Sequence, residues 1–105
     1  MIDAMLSKIE SGLYEFSKHA VDQSILRSIS LGEVVESIRD AIIIENYPND
    51  KYGPSCLILG FTDAGRPLHV QCTSGSREIL KIITLYEPDE SLWIAFRERR
   101  PSNEG

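Results

Sequence analysis

Residues 56–86, CLILGFTDAGRPLHVQCTSGSREILKIITLY, decide the fold. Three runs rich in Leu, Ile and Val, at 56–62, 67–73 and 79–86, are separated only by the short stretches DAGR and SGSR. Connections that short join antiparallel neighbours, so the three runs form a meander. A turn centred on Ala64 sets Cys56 opposite Cys72 and Ile58 opposite Val70. A second turn, centred on Gly75, would set His69 opposite Lys81. In this register Cys56, Cys72, Leu68, Leu80 and Ile82 share an apolar face, and His69, Gln71 and Lys81 share the other with Leu57, Leu59 and Ile83.

Upstream, residues 41–46 read as a first strand, followed by a Pro-, Gly- and Asn-rich loop at 47–55. Before that the period changes from two to about 3.6. Ile2, Met5, Leu6 and Ile9 mark an amphipathic helix that Gly12 ends, and 13–16 is a short extended piece. Ser17 caps a helix through KHAVDQSILRS, with Val21, Ile25 and Ile29 expected on its buried stripe and His19, Gln23 and Arg27 on another face. Ser30 and Glu33 form a capping box, and Ile29 and Val34 a hydrophobic staple. They open a third helix, expected to bury Leu31, Val34, Val35 and Ile38 and to stop near Asp40. Downstream, a segment led by Pro88 brings Leu92, Trp93 and Phe96 onto the sheet as a short helix or turn, and RRPSNEG reads as a mobile tail. The expectation is one α+β domain over residues 1–100, N-terminal helices on a four-stranded antiparallel sheet, with a flexible end at 101–105.

At 105 residues the chain is long enough for one core without metal or disulfide staples. Asp3, Lys8 and Glu10 interrupt what would have to be an apolar leader, and no run reaches the roughly 18–20 apolar residues of a spanning helix, so the expected compartment is the cytoplasm. There Cys56 and Cys72 stay reduced, and their spacing matches no metal site. The net charge of −5 argues against general polyanion binding. The charge is uneven, however: residues 1–65 hold five Lys/Arg against ten Asp/Glu, and residues 66–100 six against five. Arg97, Arg99 and Arg100 therefore form either a solvated basic end or a patch for a nucleic-acid backbone.

No Walker loop, Rossmann glycine fingerprint, HExxH or GxSxG motif occurs. The chain has two histidines, His19 and His69. With Arg27 and Lys81 they are the residue types that metal-free phosphodiester cleavage requires: proton-transfer groups and cations for the crowded phosphate charge. Each also has a structural reading. His19 suits a solvated position near a helix start, His69 a cross-sheet hydrogen bond, Arg27 a surface pair with Asp22 or Glu36, and Lys81 a solvated strand face. Tyr47, Tyr52 and Tyr86 either donate to a phosphate or pack with a wet hydroxyl.

The blocks FSKHAVDQSILRSIS, ENYPNDKYGPSCLILGF, GRPLHVQC and KIITLYEPDESLW together resemble a bacterial domain family of unknown function, with a His-Ala helix motif and a Tyr-Glu-Pro-Asp ending. The resemblance covers roughly residues 16–100. That family in turn is similar to the RelE, BrnT and barnase-like toxins. The resemblance implies metal-independent RNA cleavage without a cofactor, a neighbouring zinc-finger antitoxin as partner, and a site of His19, Arg27, His69 and Lys81. The family pattern places Arg and Gly where this chain has Gln23 and Ser28. The alternative from another class is a non-catalytic protein-binding module that uses the sheet edge or the Trp93 region.

Overall fold

A computed structural model of the 105-residue chain describes residues 2–51, 53–73 and 78–101. Its elements are α1 (Ile2–Glu10), β1 (Tyr14–Phe16), α2 (Lys18–Leu26), α3 (Leu31–Arg39), β2 (Ile42–Tyr47), β3 (Ser55–Phe61), β4 (Pro67–Thr73), β5 (Leu80–Tyr86), β6 (Trp93–Ile94) and β7 (Glu98–Arg99). The main sheet has five strands in the order β1-β5-β4-β3-β2 and is mixed, since β1 runs parallel to β5. This corrects the expected four-stranded antiparallel sheet. The extended piece after Gly12 is recruited as an edge strand, with Leu80 N–H donating to Leu13 O at 2.9 Å and Ser17 N–H to Ile82 O at 2.9 Å.

The β3–β4 hairpin has the register set by Ala64: Cys56 faces Cys72 and Ile58 faces Val70. Gly65, at φ +87°, and the Thr62 hydroxyl, which accepts from Arg66 N–H at 3.0 Å, close the turn. The next pairing differs from expectation. His69 lies opposite Tyr86, not Lys81, and Gln71 opposite Thr84, while Cys72 pairs with Ile82, leaving Ile83 as the extra residue of a bulge. The turn expected at SGSR falls on residues 74–77, outside the described residues.

That bulge decides which side chains share a face. It breaks the two-residue alternation, so that Leu80, Ile82 and Leu85 all enter the core. It also returns Lys81 to the side of the sheet that carries His69. A second bulge, at Ile44, likewise aims Glu45 and Tyr47 onto that face.

One face of the sheet meets the helices. Met5 and Ile9 of α1, Ala20 of α2, Ile29, and Val34 and Ile38 of α3 close over Cys56, Ile58, Leu68, Val70, Cys72, Leu80, Ile82 and Leu85. The expected capping box is present: the Ser30 hydroxyl accepts from Glu33 N–H, and the Glu33 carboxylate accepts from Ser30 N–H, each at 3.1 Å. Leu31 is exposed instead of buried, and Ser37 takes a core position. The stripe expected on α2 is also corrected: Val21 is 41% and Ile25 73% exposed, and Ala20 is the buried residue. α2 packs chiefly along β5, near the sheet edge, and so buries only a narrow side.

The segment after Pro88 is neither helix nor simple turn. β6 and β7 form a hairpin with Trp93 opposite Arg99, which also places Arg99 in ordered structure instead of a mobile tail. The four residues after Pro101 lie outside the described residues. Just beyond α2 and its C-cap Arg27, Ser28 holds φ +53°, the left-handed conformation that favours glycine. Ser28→Gly is expected to raise stability by about 1 kcal/mol, read as a higher urea midpoint at unchanged slope.

Candidate functional site

Opposite the helices, the second face of the sheet carries Glu45, Tyr47, Ser55, Leu57, Leu59, His69, Gln71, Thr84 and Tyr86 in register. Two neighbours modify it. The β6–β7 hairpin covers the part around His69, and α2 borders it along β5.

Ser17 fixes the start of α2. Its hydroxyl donates to Ile83 O at 2.7 Å and accepts from Ala20 N–H at 3.0 Å, so one residue caps the helix and ties it to the bulge. His19 then extends over Thr84, with Nε2 3.1 Å from Oγ1, and stays exposed to solvent. Gln23 and Arg27 follow on the same helix face, as their spacing predicts, and Arg27 Nε donates to Gln23 Oε1 at 2.7 Å. This bond, and not a pair with Asp22 or Glu36, is the side-chain hydrogen bond described for Arg27. Arg27 lies two turns beyond His19, about 12 Å along the axis. Lys81 stands on the open face at the other end of β5, 3.7 Å from the Glu15 carboxylate and roughly 7–10 Å from Thr84 along the strand. Lys81 and His19 thus both stand over β5, the second strand from the sheet edge, and Arg27 lies further along α2.

His69 is placed differently. It is 0% exposed, and its Nε2 lies 2.6 Å from Phe96 O. A carbonyl only accepts, so Nε2 carries the proton and Nδ1 accepts the Tyr86 hydroxyl at 3.2 Å. The ring also meets Trp93 edge-on, with centroids 4.5 Å apart. Burial pushes the imidazole below its ordinary pKa and the Tyr86 phenol above its own. Along the sheet His69 is roughly 15 Å from Lys81. The structure therefore leaves His19 and Arg27 exposed and Lys81 half-buried on the β5 side of the sheet, spaced roughly 10 Å or more from one to the next, and seals His69 beneath the hairpin.

What holds the hairpin down was not legible as a site. Arg99 donates from Nε and from a terminal nitrogen to Glu45, at 2.8 and 3.0 Å, and lies 4.7 Å over the Trp93 ring. Arg99 keeps the Glu45 carboxyl below the usual carboxylate range, and burial together with Glu45, which accepts the Tyr47 hydroxyl, pushes that phenol up to about 12. Arg99 is thus occupied internally, and the Arg100 side chain donates to Glu90 O at 2.9 Å. Ala95 and Phe96 hold φ +51° and +61°, with Arg97 N–H donating to Ile94 O at 3.0 Å. That is a type I′ turn built without glycine, strained by about 1–2 kcal/mol per residue, and His69 grips its carbonyl.

His69→Ala is expected to cost about 3 kcal/mol, because it opens a cavity and leaves the Phe96 carbonyl and Tyr86 hydroxyl without their partner. Its pH dependence follows from the depressed pKa. The stability due to neutral His69 is present above the unfolded value of about 6.5 and is lost as pH falls below it. Urea midpoints should drop from pH 7 to 5 in the parent and do so less in the variant.

A sequence profile of the family Domain of unknown function (DUF4258) matches residues 16–87. The chain belongs to that family. The match runs from the end of β1 through Glu87, so the DUF4258 region contains α2, α3 and β2 to β5 and stops before the hairpin. No curated protein and no solved structure matches the chain. No described helix is long and apolar enough to cross a membrane. Among the described residues no group of three or more His, Cys, Asp or Glu side chains is placed to hold a metal ion.

Proposed function

We propose that this DUF4258 protein is a metal-independent endoribonuclease of the toxin type, working on the open sheet face over β5. The observation that carries the reading is His19: an exposed imidazole, seated on Thr84, with Lys81 further along β5 and Arg27 further along α2.

In this scheme His19 takes the proton of a ribose 2′-hydroxyl. The 2′-oxygen attacks the adjacent phosphorus, an O2′–P bond forms, the P–O5′ bond breaks, and the departing 5′-oxygen takes a proton from water at the open face, whose hydroxide then takes the proton held by His19. Lys81 and Arg27, about 10 and 12 Å along the strand and the helix from His19, attract the flanking phosphates of the bound RNA and hold it across the site. His69 acts as a positioning residue: it anchors the hairpin and Tyr86, which lies two residues beyond Thr84. The partner that would hold such an enzyme silent is a small zinc-finger antitoxin.

The test is incubation of the purified chain with single-stranded RNA in excess EDTA. Fragments ending in 2′,3′-cyclic phosphate are expected; intact RNA would overturn the reading. A second reading, a non-catalytic protein-binding module, is favoured by α2, where Val21, Ile25 and Leu26 are exposed, Leu26 at 75%. Expression distinguishes the two. A nuclease arrests growth and is rescued by the adjacent antitoxin, whereas a binding module leaves growth unchanged.

A further inference from the structure

A hollow of about 450 Å³ opens at the β2 end of the same face, lined by Asn46, Tyr47, Pro48, Asn49, Asp50 and Gln71. Its volume falls within the roughly 300–1,000 Å³ of small-molecule pockets. One wall is organised by a relay of hydrogen bonds. Gln71 Nε2 donates to Ser55 Oγ at 3.2 Å, and the Ser55 hydroxyl donates to Asp50 Oδ2 at 3.1 Å. A serine hydroxyl has a single proton, so its donation to Asp50 obliges the Gln71 amide to present its NH₂ to Ser55. The Gln71 carbonyl oxygen is thereby turned to the other side, and the Asp50 carboxylate is held in place by a buried residue.

The relay fixes the Asp50 carboxylate as the one charged acceptor of this wall, with the Tyr47 ring and the Gln71, Asn46 and Asn49 amides beside it. Among the four RNA bases, guanine alone offers two adjacent donors, N1–H and the N2 amino group, on its Watson–Crick edge. Uracil has one donor between two carbonyls, and adenine and cytosine each set an acceptor beside their amino group. A carboxylate with two oxygens pairs with the guanine edge and meets an acceptor on the others. Tyrosine supplies a face for stacking, the usual support for an unpaired base.

The hollow also stands at the right place. Gln71 is the cross-strand partner of Thr84, the residue beneath His19, and directly opposed side chains lie about 5 Å apart at Cβ. A base held against Gln71 would have its own 3′-phosphate on the Thr84 side, towards the imidazole. We propose that the hollow bounded by Tyr47, Asp50 and Gln71 is a guanine pocket, and that the chain cuts single-stranded RNA on the 3′ side of guanosine. This rests on the ribonuclease reading for the cut, but the binding claim stands on the hollow alone.

The experiment titrates the purified chain with guanosine, adenosine, cytidine and uridine 3′-monophosphates, and with L-argininamide, by calorimetry. Guanylate should bind about tenfold or more tighter than the other nucleotides. Asp50→Asn, which replaces the carboxylate with a neutral amide, should remove that preference, with guanylate binding weakened about tenfold or more. Equal binding of the four nucleotides overturns the proposal. So does tighter binding of argininamide, whose guanidinium shares the donor pattern of guanine and would mark a peptide pocket. Mapping cut sites separates the two claims. Cleavage without guanosine preference removes the pocket and keeps the nuclease; guanylate binding without cleavage removes the nuclease and keeps the pocket.

Discussion

On the proposed ribonuclease reading, His19→Ala is expected to lower RNA cleavage by about 10²- to 10⁴-fold, the usual contribution of a positioned proton-transfer group. The same change should leave the fold intact. His19 is exposed and its described contact is a hydrogen bond to Thr84, so its removal opens no cavity and is expected to shift stability by no more than about 0.5 kcal/mol. The measurements are cleavage rate under single-turnover conditions and the urea midpoint of the same preparation. Unchanged cleavage would remove His19 from the chemistry. A loss of cleavage matched by a loss of folded protein would show a structural effect instead. His69→Ala supplies the contrast, because its primary loss is stability; a His69 variant that stays folded yet loses all cleavage would return that residue to direct chemistry.

Gly60→Ala should be the most damaging single substitution in the core. Gly60 lies on β3 where α3 packs against the sheet, and a Cβ there would sit 1.7 Å from Ser37 O and 2.6 Å from Ser37 C. Both are backbone atoms, so no rotamer change relieves the overlap, and the helix must move away from the strand. Ser37, Ile38 and Val34 are buried at that contact, so moving α3 unseats them together. The expected cost is about 4 kcal/mol or more, beyond ordinary overpacking. A domain of this size has about 5–15 kcal/mol in total. The variant should therefore show a much lower thermal midpoint or fail to accumulate folded, whereas Gly32→Ala on the outer side of α3 meets only the Ser30 hydroxyl at 3.8 Å and should be tolerated. A Gly60→Ala protein with the parent midpoint would mean that α3 does not lie flush on β3.

Much of this architecture is legible residue by residue. The Ser30–Glu33 box and the Ser17 cap act within one turn of chain, and the Ala64 turn sets its own hairpin register, so local chemistry was sufficient for each. The His19, Gln23 and Arg27 face was readable for the same reason, since helical spacing alone aligns them. The β4–β5 register was not, because a bulge at Ile83 leaves no distinct mark in a run of β-branched residues. The hairpin escaped for a related reason: its type I′ turn uses Ala95 and Phe96, without the Asn-Gly pattern that announces such turns.

By itself the sequence determined the helix caps, the strand count of the meander, the β3–β4 register and the identity of the side chains available for phosphodiester chemistry. All of these depend on interactions between residues close along the chain. Only the tertiary structure decided that β1 joins the sheet in parallel, that α2 rides near an edge with Val21 and Ile25 outward, and that His69 is sealed while His19 is open. Those outcomes depend on contacts spanning 27 to 67 residues, such as His69 with Phe96 and Leu13 with Leu80, whose energies no local pattern encodes.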